Sequence, residues 1–462
     1  GSLFFCIPGF NVDGHDFVPE AVSRGASALI VTREVSAPDD VSVIKVEDPR
    51  LAMGIASSEF FDNPSQSLFL AGVTGTNGKT SVAFLIDELL KRAGRRTGML
   101  GTVENRIGDE ILEVKRTTPE SMDLHYLHSR MVVAGCSHAV MEVSSHAVAL
   151  RRIAGCCFDA AVFTNLSQDH LDFHKDLDAY FDEKKKLFTE YLSAGGAAII
   201  NTDDPRGAQL AGDLSCRVVT FGMESPGASV RAVNPEYSRR GIRFTVEHSG
   251  ESFTIESALG GKFNIYNSLA MIAFGLSQDI PPETICATLA DMAGVPGRFE
   301  KIEEGQEFTV VVDYAHSPDG LMNVLGAARE ICGGKLIVVF GAGGDRDKAK
   351  RPLMGAAAVR WADLAVVTSD NPRSEDPVEI IDSIILGVEQ ELKGLDMSRS
   401  FKYFVEPDRF SAIRKALGLA AGDDVVVIAG KGHENYQVFR DRTIHFDDRE
   451  VARNILREKN GK

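Results

Sequence analysis

Short apolar runs alternate with stretches of helical spacing over most of this chain. The run from Leu68 to Val73 predicts a buried strand, and a glycine-rich turn and a helical pattern follow it. The apolar residues on one face of that helix are Val82, Leu85, Ile86, Leu89 and Leu90. This alternation predicts an α/β fold with mostly parallel sheets that are covered by helices.

The same pattern predicts three domains, at residues 1–66, 67–296 and 297–462, as expected for 462 residues. Turn residues mark the two boundaries: 62–65 are interpreted as a linker, and 294–297 form the second break. Between about 217 and 260 the segments become shorter and more polar, which predicts an antiparallel extension of the second sheet. The strands predicted elsewhere are 28–31 and 43–46, then 138–143, 160–164 and 197–201, then 308–312, 335–340, 363–368 and 424–429.

Composition restricts the function classes. A formal charge of −16 argues against a general nucleic-acid or anionic-membrane binder. No apolar run approaches the roughly 20 residues that span a bilayer. The seven cysteines show neither metal-ligand nor disulfide-framework spacing, so a reducing cytoplasm is expected. The chain opens without methionine on a strand-like segment, which predicts a first domain that is incomplete at its N-terminus.

The turn after the Leu68–Val73 strand has the layout of a phosphate-binding loop. Its glycines allow backbone N–H groups to wrap an anion at a helix N-terminus, Lys79 adds a cation, and Thr80 can hold Mg²⁺. The strict G-x-x-x-x-G-K-[ST] pattern is broken because Val73 occupies the position of its first glycine. The alternative is a loop that is merely rich in glycine. We predict an ATP site.

Two acidic or histidine-bearing strand ends lie in the same predicted domain. Glu142 ends an apolar strand, where a carboxylate could take the Mg²⁺ of a nucleotide, and Ser145 and His146 follow it. His170 follows the next strand and is a further candidate ligand. The alternatives are a solvated strand end for Glu142 and a structural role for the histidine.

Two basic residues stand out elsewhere. Lys184 falls on the apolar stripe of a helix predicted from Leu177 to Leu192, whereas its neighbours Lys185 and Lys186 do not. It is either a snorkelling lysine or a buried, reactive amine. In the third domain, Arg373 ends an Asp-Asn-Pro-Arg loop after a predicted strand. It could clamp a carboxylate in two hydrogen bonds or form a surface salt bridge.

Together these motifs resemble the Mur ligases, in family order and over nearly the whole chain. They are 75–80, 142–146, 164–166, 169–172, 370–373 and 430–434. The resemblance implies a three-domain architecture, with a central P-loop ATPase-like parallel sheet and a C-terminal Rossmann-like domain. The family's usual phosphate loop, Thr-Gly-Thr-Asn-Gly-Lys-Thr, also explains the broken pattern around Val73.

The resemblance implies roles for individual residues. ATP would be bound by Gly75, Thr76, Asn77, Gly78, Lys79, Thr80, Asn267, Arg298 and Asp313. The implied metal ligands, for two Mg²⁺ ions, are Thr80, Glu142, His170 and Lys184, with Lys184 carbamylated by CO₂. The implied catalytic residues are Lys79, Glu142, His170 and Lys184. Carbamylation would turn the cation of Lys184 into a carboxylate-like ligand. The resemblance therefore favours a buried, reactive Lys184 over a snorkelling one.

The resemblance also implies two substrate sites. A UDP-muramoyl dipeptide would contact Asn11, Thr117, Thr118, Ser145 and Arg152. Relatives often carry glutamine two residues before that arginine, where this chain has Leu150. Meso-diaminopimelate would be bound by Arg346, Asp370, Asn371, Pro372, Arg373, Gly430 and Glu434.

The implied reaction is ATP-dependent amide ligation in peptidoglycan precursor synthesis. The D-glutamyl γ-carboxylate of UDP-N-acetylmuramoyl-L-Ala-D-Glu would form an acyl phosphate, which the diaminopimelate amine then displaces. A cytoplasmic monomer is expected, without nucleic-acid or membrane partners. One alternative is a related folylpolyglutamate-type ligase or one with another acceptor, such as L-lysine. The other is a nucleotide-gated binding protein that hydrolyses ATP without ligation.

Overall fold

The computed structural model describes residues 1–10, 12–170, 173–292, 294–394 and 400–459. The N-terminal unit is a small parallel sheet in the order β1-β2-β3. Its elements are β1 (Ser2–Phe5), α1 (Val18–Ser23), β2 (Ala26–Val31), β3 (Ser42–Lys45) and α2 (Pro49–Phe60). Asp48 caps α2, where its carboxylate accepts from the N–H groups of Arg50 and Leu51.

The central unit is an eleven-stranded sheet in the order β14-β13-β12-β11-β10-β9-β4-β8-β5-β6-β7. Its strands are β4 (Phe69–Thr74), β5 (Thr97–Leu100), β6 (Asn105–Ile107), β7 (Glu110–Leu112), β8 (His138–Glu142), β9 (Phe158–Phe163), β10 (Leu192–Asn201), β11 (Arg217–Gly222), β12 (Val230–Ser238), β13 (Gly241–His248) and β14 (Glu251–Ser257). Its helices are α3 (Lys79–Arg92), α4 (Ser121–Val133), α5 (Ser145–Ala149), α6 (Leu177–Thr189), α7 (Pro205–Asp213), α8 (Lys262–Ser277) and α9 (Pro282–Asp291).

Helices cover both faces of this sheet. α3, α8 and α9 pack on one face, and α4, α6 and α7 pack on the other. The predicted apolar face of α3 is confirmed, because all five of its residues are buried. The predicted antiparallel extension is also confirmed in β12, β13 and β14. The parallel strands β4, β8 and β9 lie side by side, so their carboxyl ends meet at one edge.

The C-terminal unit is built on a third sheet, in the order β15-β16-β20-β17-β18-β19, and it is parallel apart from β15. Its strands are β15 (Glu300–Lys301), β16 (Thr309–Asp313), β17 (Leu336–Phe340), β18 (Leu364–Val367), β19 (Lys402–Val405) and β20 (Val425–Ala429), followed by the hairpin β21 (Tyr436–Val438) and β22 (Thr443–His445). Its helices are α10 (Pro318–Glu330), α11 (Lys350–Trp361), α12 (Pro377–Leu392), α13 (Arg409–Leu419) and α14 (Asp448–Lys459). α10, α11 and α12 cover one face, and α13 and α14 cover the other.

The segment predicted as a linker lies between the N-terminal sheet and the central sheet, and it is packed: Pro64 and Ser65 are buried, and the Ser65 hydroxyl accepts from the Cys157 N–H. One local prediction differs from the structure. The helix predicted to reach Leu192 ends at Thr189, because Leu192 begins β10 and pairs with Phe158. Within the described ranges, no helix has the length and apolar character needed to cross a bilayer.

Candidate active site

The predicted phosphate loop joins β4 to α3 and requires its glycines. Gly75 and Gly78 have φ angles of 144° and 87°, a region that side chains rarely adopt. A Cβ atom on Gly75 would also lie 1.9 Å from the Thr164 hydroxyl oxygen. The loop therefore turns tightly against the end of β9 and delivers Lys79 and Thr80 to the first turn of α3.

Residues at the end of β9 hold this loop in place. The Thr76 N–H donates to the Asn165 carbonyl at 2.8 Å, and the Asn77 N–H donates to the Asn165 side-chain oxygen at 2.9 Å. The Thr164 hydroxyl donates to the Asn77 carbonyl at 2.6 Å. These contacts preorganise the loop.

Lys79 curls back over the loop. Its Nζ donates to the carbonyls of Gly75 and Thr76 at 3.1 and 2.8 Å. Burial lowers the pKa of Lys79, while the nearby carboxylates of Glu142 and Asp169 act in the opposite direction. The amine thus stands where an anion wrapped by the loop would lie.

Glu142, at the end of β8, is not a solvated strand end, because it is only 1% exposed. Its carboxylate accepts from the Thr80 hydroxyl at 3.0 Å and from the Thr102 N–H and hydroxyl at 2.7 and 3.1 Å. All three donors are neutral, so this buried carboxylate beside a threonine hydroxyl fits a site for Mg²⁺.

Lys184 lies on the buried face of α6 and does not snorkel. It is 1% exposed, and its Nζ donates to the Gly75 carbonyl at 2.7 Å and stands 4.4 Å above the Tyr180 ring. Burial, followed by repulsion from Lys79, lowers the pKa of Lys184 well below its ordinary value. The side chain is therefore an amine that loses its proton readily, at the phosphate loop.

A group of histidines lies beside these residues. The ring of His170 is 4.8 Å from that of His146, and the backbone of His170 has a φ of 55°. His174 Nε2 and the Ser145 hydroxyl are 2.9 Å apart. His174 was not among the predicted residues, although its position four residues after His170 could have indicated it.

The residues predicted to hold the muramoyl substrate adjoin Glu142. The Thr118 hydroxyl donates to the Glu142 carbonyl at 2.9 Å, and Thr117 accepts from the Thr102 hydroxyl at 3.1 Å. Arg152 donates to the Thr118 carbonyl at 3.3 Å and pairs with Glu120 at 3.0 Å. Leu150 is half-buried at the end of α5. The predicted residue Asn11 lies outside the described residues.

The C-terminal unit closes the site from the other side. Arg298 donates to the Thr80 hydroxyl at 3.1 Å, and its guanidinium lies 4.4 Å from the centre of the Tyr314 ring. The Asp313 carboxylate accepts from the N–H groups of Phe299 and Ala315, and burial raises the pKa of Asp313. Asn267 reaches the loop from α8, because a Cβ atom on Gly78 would lie 2.6 Å from its side-chain oxygen.

One cavity of about 1450 Å³ contains most of the predicted residues. Except for Gly75, every predicted ATP, metal and muramoyl-dipeptide residue that the structure describes lines it, and Arg346 joins them from the C-terminal unit. The other predicted diaminopimelate residues do not line it. They are Asp370, Asn371, Pro372, Arg373, Gly430 and Glu434.

Those residues form a second polar cluster in the C-terminal unit. Asn371 donates to the Glu434 carboxylate at 2.9 Å, and the buried Lys431 donates to both side chains at 3.3 and 3.2 Å. The Asp370 Oδ1 atom is buried, and among the described residues it has no hydrogen-bond partner, although Lys431 Nζ lies 3.9 Å away. This arrangement suits an amine of a ligand.

Two arginines flank Gly343 beside this cluster. A Cβ atom on Gly343 would lie 3.0 Å from Arg373 Nη1 and 3.6 Å from Arg346 Cγ. Arg373 adopts a φ of 52° and donates to the Gly344 carbonyl at 2.7 Å, and it forms no ion pair with any residue that the structure describes. A guanidinium group suits a carboxylate, which it can bind through two parallel hydrogen bonds.

Thr102 and Lys431 are further residues of the site that sequence analysis did not single out. Thr102 holds Glu142 with two of its donors. Its only signal was its position shortly after a buried strand. Lys431 lies inside the Gly430–Glu434 motif, but only the structure shows that it bonds Asn371 and Glu434 together.

Comparison with known proteins gives three family matches along the chain. Residues 1–61 match "Mur ligase family, catalytic domain", 73–275 match "Mur ligase middle domain", and 297–432 match "Mur ligase, glutamate ligase domain". A UDP-N-acetylmuramoyl-L-alanyl-D-glutamate–2,6-diaminopimelate ligase of Solibacter usitatus is 46% identical over 99% of this chain and 91% of its own length. A protein of the same name from Clostridium perfringens is 44% identical, over 99% and 93%.

Solved structures agree with these matches. A structure of a UDP-N-acetylmuramoyl-L-alanyl-D-glutamate–2,6-diaminopimelate ligase superimposes with a TM-score of 0.72 at 32% identity, covering 100% of this chain and 93% of its own. A MurF ligase from Thermotoga maritima in complex with ADP gives a TM-score of 0.65 at 19% identity, covering 99% and 96%. The second likeness concerns the fold alone.

Proposed function

Because the chain belongs to the Mur ligase family, we propose that it joins 2,6-diaminopimelate to UDP-N-acetylmuramoyl-L-alanyl-D-glutamate in an ATP-dependent reaction. The relatives that carry this name match the chain almost from end to end. The observation that carries the proposal is the convergence of Lys79, Glu142 and Lys184 in one cavity with Thr118 and Arg152. Phosphate-binding, acidic and substrate-binding groups are thereby brought to one place.

The phosphate loop binds ATP in this proposal. Backbone N–H groups at the start of α3 and the Lys79 amine hold the phosphates, while Asn267, Arg298 and Asp313 hold the base and ribose. The γ-carboxylate of the D-glutamyl residue attacks the γ-phosphoryl group, which gives an acyl phosphate and ADP. The diaminopimelate amine then displaces phosphate to form the amide.

Thr80, Glu142, His170 and Lys184, the last as a carbamate, would hold two Mg²⁺ ions. When bound, Mg²⁺ offsets the negative charge that gathers on the phosphates. Burial of Lys184 against the Gly75 carbonyl supports the carbamate, because burial favours the uncharged amine, which is the form that attacks CO₂. The reaction joins the amine nitrogen to the carbon of CO₂ and releases one proton.

The second cluster selects the incoming amino acid. Asp370 and Glu434 would accept hydrogen bonds from the ammonium group of diaminopimelate, and Arg346 and Arg373 would clamp its distal carboxylate. L-Lysine lacks that carboxylate and would leave the clamp unpaired. Each penalty of about 1.4 kcal/mol on lysine raises the selectivity for diaminopimelate tenfold.

Measurement of ADP release from purified protein tests the ligase activity. UDP-muramoyl dipeptide together with meso-diaminopimelate, L-lysine or L-glutamate is supplied, and ADP release is expected to need the dipeptide and diaminopimelate together. Arg373→Ala is expected to lower kcat/KM for diaminopimelate at least about 30-fold, a loss of about 2 kcal/mol, whereas the exposed control Arg442→Ala retains it. ADP release that is independent of both substrates would leave only an ATPase.

The carbamate has its own test. Lys184→Ala is expected to lose nearly all turnover, and bicarbonate should not restore it. Lys185→Ala is the matched control, because Lys185 pairs with Asp213 at the surface. Near-normal turnover in Lys184→Ala would remove the carbamate from the mechanism.

The proposal also covers the domain boundaries, the location of the protein, its biological role and its oligomeric state. The separate sheets and the three family matches support domains at 1–66, 67–296 and 297–462. All seven cysteines are free thiols, which supports a reducing cytoplasm as the location. Peptidoglycan precursor synthesis would link the protein to cell-wall formation, cell shape and cell division, and it would act as a monomer.

A further inference from the structure

Three potential metal ligands meet inside the central unit, and none of them lines the active-site cavity. His125 and His128 are three residues apart on α4, so both project from one side of that helix. Cys156 approaches them from the loop between α5 and β9. One nitrogen of each histidine and the cysteine sulfur all lie within 4.8 Å of one another.

The two histidines are enclosed, and their polar atoms are unsatisfied. Both are 0% exposed, and Cys156 is 7% exposed. Among the described residues, neither ring nitrogen of His128 has a hydrogen-bond partner, and neither does Nδ1 of His125. A buried polar group without a partner costs about 1–3 kcal/mol, so three such nitrogens in one place require an explanation.

The tautomer of His125 favours a ligand on its free nitrogen. His125 Nε2 lies 2.8 Å from the Ala154 carbonyl, and it must donate because a carbonyl can only accept. Nδ1 of the neutral ring therefore carries a lone pair. Histidines that bind metals commonly hold their second nitrogen against a backbone carbonyl in this way.

The donor set selects the metal. Two imidazole nitrogens and a thiolate suit zinc, whereas Mg²⁺ and Ca²⁺ prefer oxygen ligands. In a tetrahedral site with bonds of about 2.0–2.3 Å, the ligand atoms lie roughly 3.3–3.8 Å apart. Shifts of roughly 1 Å would bring atoms that lie within 4.8 Å to that separation. We propose that one ring nitrogen of His125, one ring nitrogen of His128 and Cys156 Sγ form a buried zinc site.

Zinc at this site would connect elements around the proposed muramoyl-substrate site. The loop that carries Cys156 also carries Arg152 and packs on α2, where Ser58 donates to the Gly155 carbonyl at 3.1 Å. A Cβ atom on Gly54 of α2 would lie 2.5 Å from the Ala154 Cβ. Zinc would therefore link α4 to this loop from within. On binding, the Cys156 thiol releases one proton to solvent, and no oxidation occurs.

Metal analysis of the full chain, produced without a histidine tag, tests the proposal. The protein is stripped with a chelator, incubated with zinc chloride and gel-filtered, and zinc is counted by mass spectrometry. About one tightly held zinc ion per chain is expected, falling at least fivefold in Cys156→Ser and in His128→Gln. Cys157→Ser is the matched control, because Cys157 is the adjacent, half-exposed thiol, and it should retain zinc.

Cobalt supplies a readout on the unaltered protein. Co²⁺ in place of zinc is expected to give a thiolate-to-cobalt charge-transfer band and the visible absorption of a tetrahedral site. These bands should disappear in Cys156→Ser and persist in Cys157→Ser, and circular dichroism should show that both variants are folded. Absence of the bands from the wild-type protein, or equal zinc content in wild-type and Cys156→Ser, would overturn the proposal.

Discussion

Arg409 organises both loops of the second polar cluster, and its replacement should be among the most costly in the C-terminal unit. Its guanidinium is fully buried and makes two hydrogen bonds to Asp448, at 2.8 and 2.6 Å. It also donates to the carbonyls of Ser369 and Ala429, at 3.2 and 3.0 Å. Those carbonyls immediately precede Asp370 and Gly430, so one side chain fixes the start of both loops that are proposed to bind diaminopimelate.

The expected magnitude follows from this burial. Arg409→Leu leaves the Asp448 carboxylate, itself 0% exposed, without its cation, and such a loss costs about 3–5 kcal/mol. Arg409→Leu combined with Asp448→Leu removes both charges and should cost clearly less than the sum of the two single changes. The difference measures the coupling between the two groups.

The chain contains its own reporter for this measurement. Trp361, its only tryptophan, ends α11 in the C-terminal unit, so its fluorescence follows the unfolding of that unit. With a urea dependence of about 2 kcal/mol per molar, a loss of 3–5 kcal/mol lowers the midpoint by roughly 1.5–2.5 M. KM for diaminopimelate should also rise, because both loops lose their anchor.

A matched control lies on the same helix. Arg414 pairs with Glu458 in a bridge whose side chains are 54% and 66% exposed, so Arg414→Leu should move the midpoint by less than about 0.5 M. Equal shifts in the Arg409 and Arg414 variants would refute the reasoning. So would additive effects of the Arg409 and Asp448 changes.

Two further predictions use the same fluorescence. Gly297→Ala should destabilise the C-terminal unit by more than about 1 kcal/mol. The φ angle of Gly297 is +67°, and a Cβ atom there would lie 2.0 Å from the backbone nitrogen of His433. Gly418→Ala is the control and should not destabilise the unit, because a Cβ atom on Gly418 would meet nothing within 4 Å. Burial, with Arg298 and Arg449, lowers the pKa of His433 to about 3, so its unfolded form binds a proton first as the pH falls. The contribution of His433 to the free energy of unfolding is present above about pH 6.5 and is lost as the pH falls towards 3. The loss amounts to at most about 1.4 kcal/mol per pH unit. His433→Gln should make the free energy of unfolding fall less steeply over this pH range.

Much of the fold was predictable because its signals are local. The strand from Leu68 and the apolar face of α3 follow from spacing alone, and both are confirmed. The predicted end of α6 was wrong because apolar residues continue as far as Leu192. Leu192 belongs to β10 instead, where it pairs with Phe158 of the parallel strand β9. The burial of the linker at 62–65 was not predicted, because turn residues identify a bend without showing whether it is buried.

The active site shows the same division. The motif around Lys79 and the strand-end carboxylate of Glu142 were visible in the sequence, since each is a short pattern with its own chemistry. Thr102 as a partner of Glu142 was not, because 40 residues separate them and only the neighbouring positions of β5 and β8 bring them together.

Local patterns were enough to predict most of the helices and strands, the phosphate loop, the likeness to the Mur ligases and the stripe on which Lys184 lies. The folded chain was needed to show that Lys184 is enclosed against Gly75, that Arg409 is paired with Asp448, and that His125, His128 and Cys156 meet. The physical reason is that periodicity states which face of an element is turned inward. Which groups that face then contacts depends on the order of the strands and on contacts between residues far apart in the chain. The same contacts determine how deeply each side chain is buried and which charges surround it.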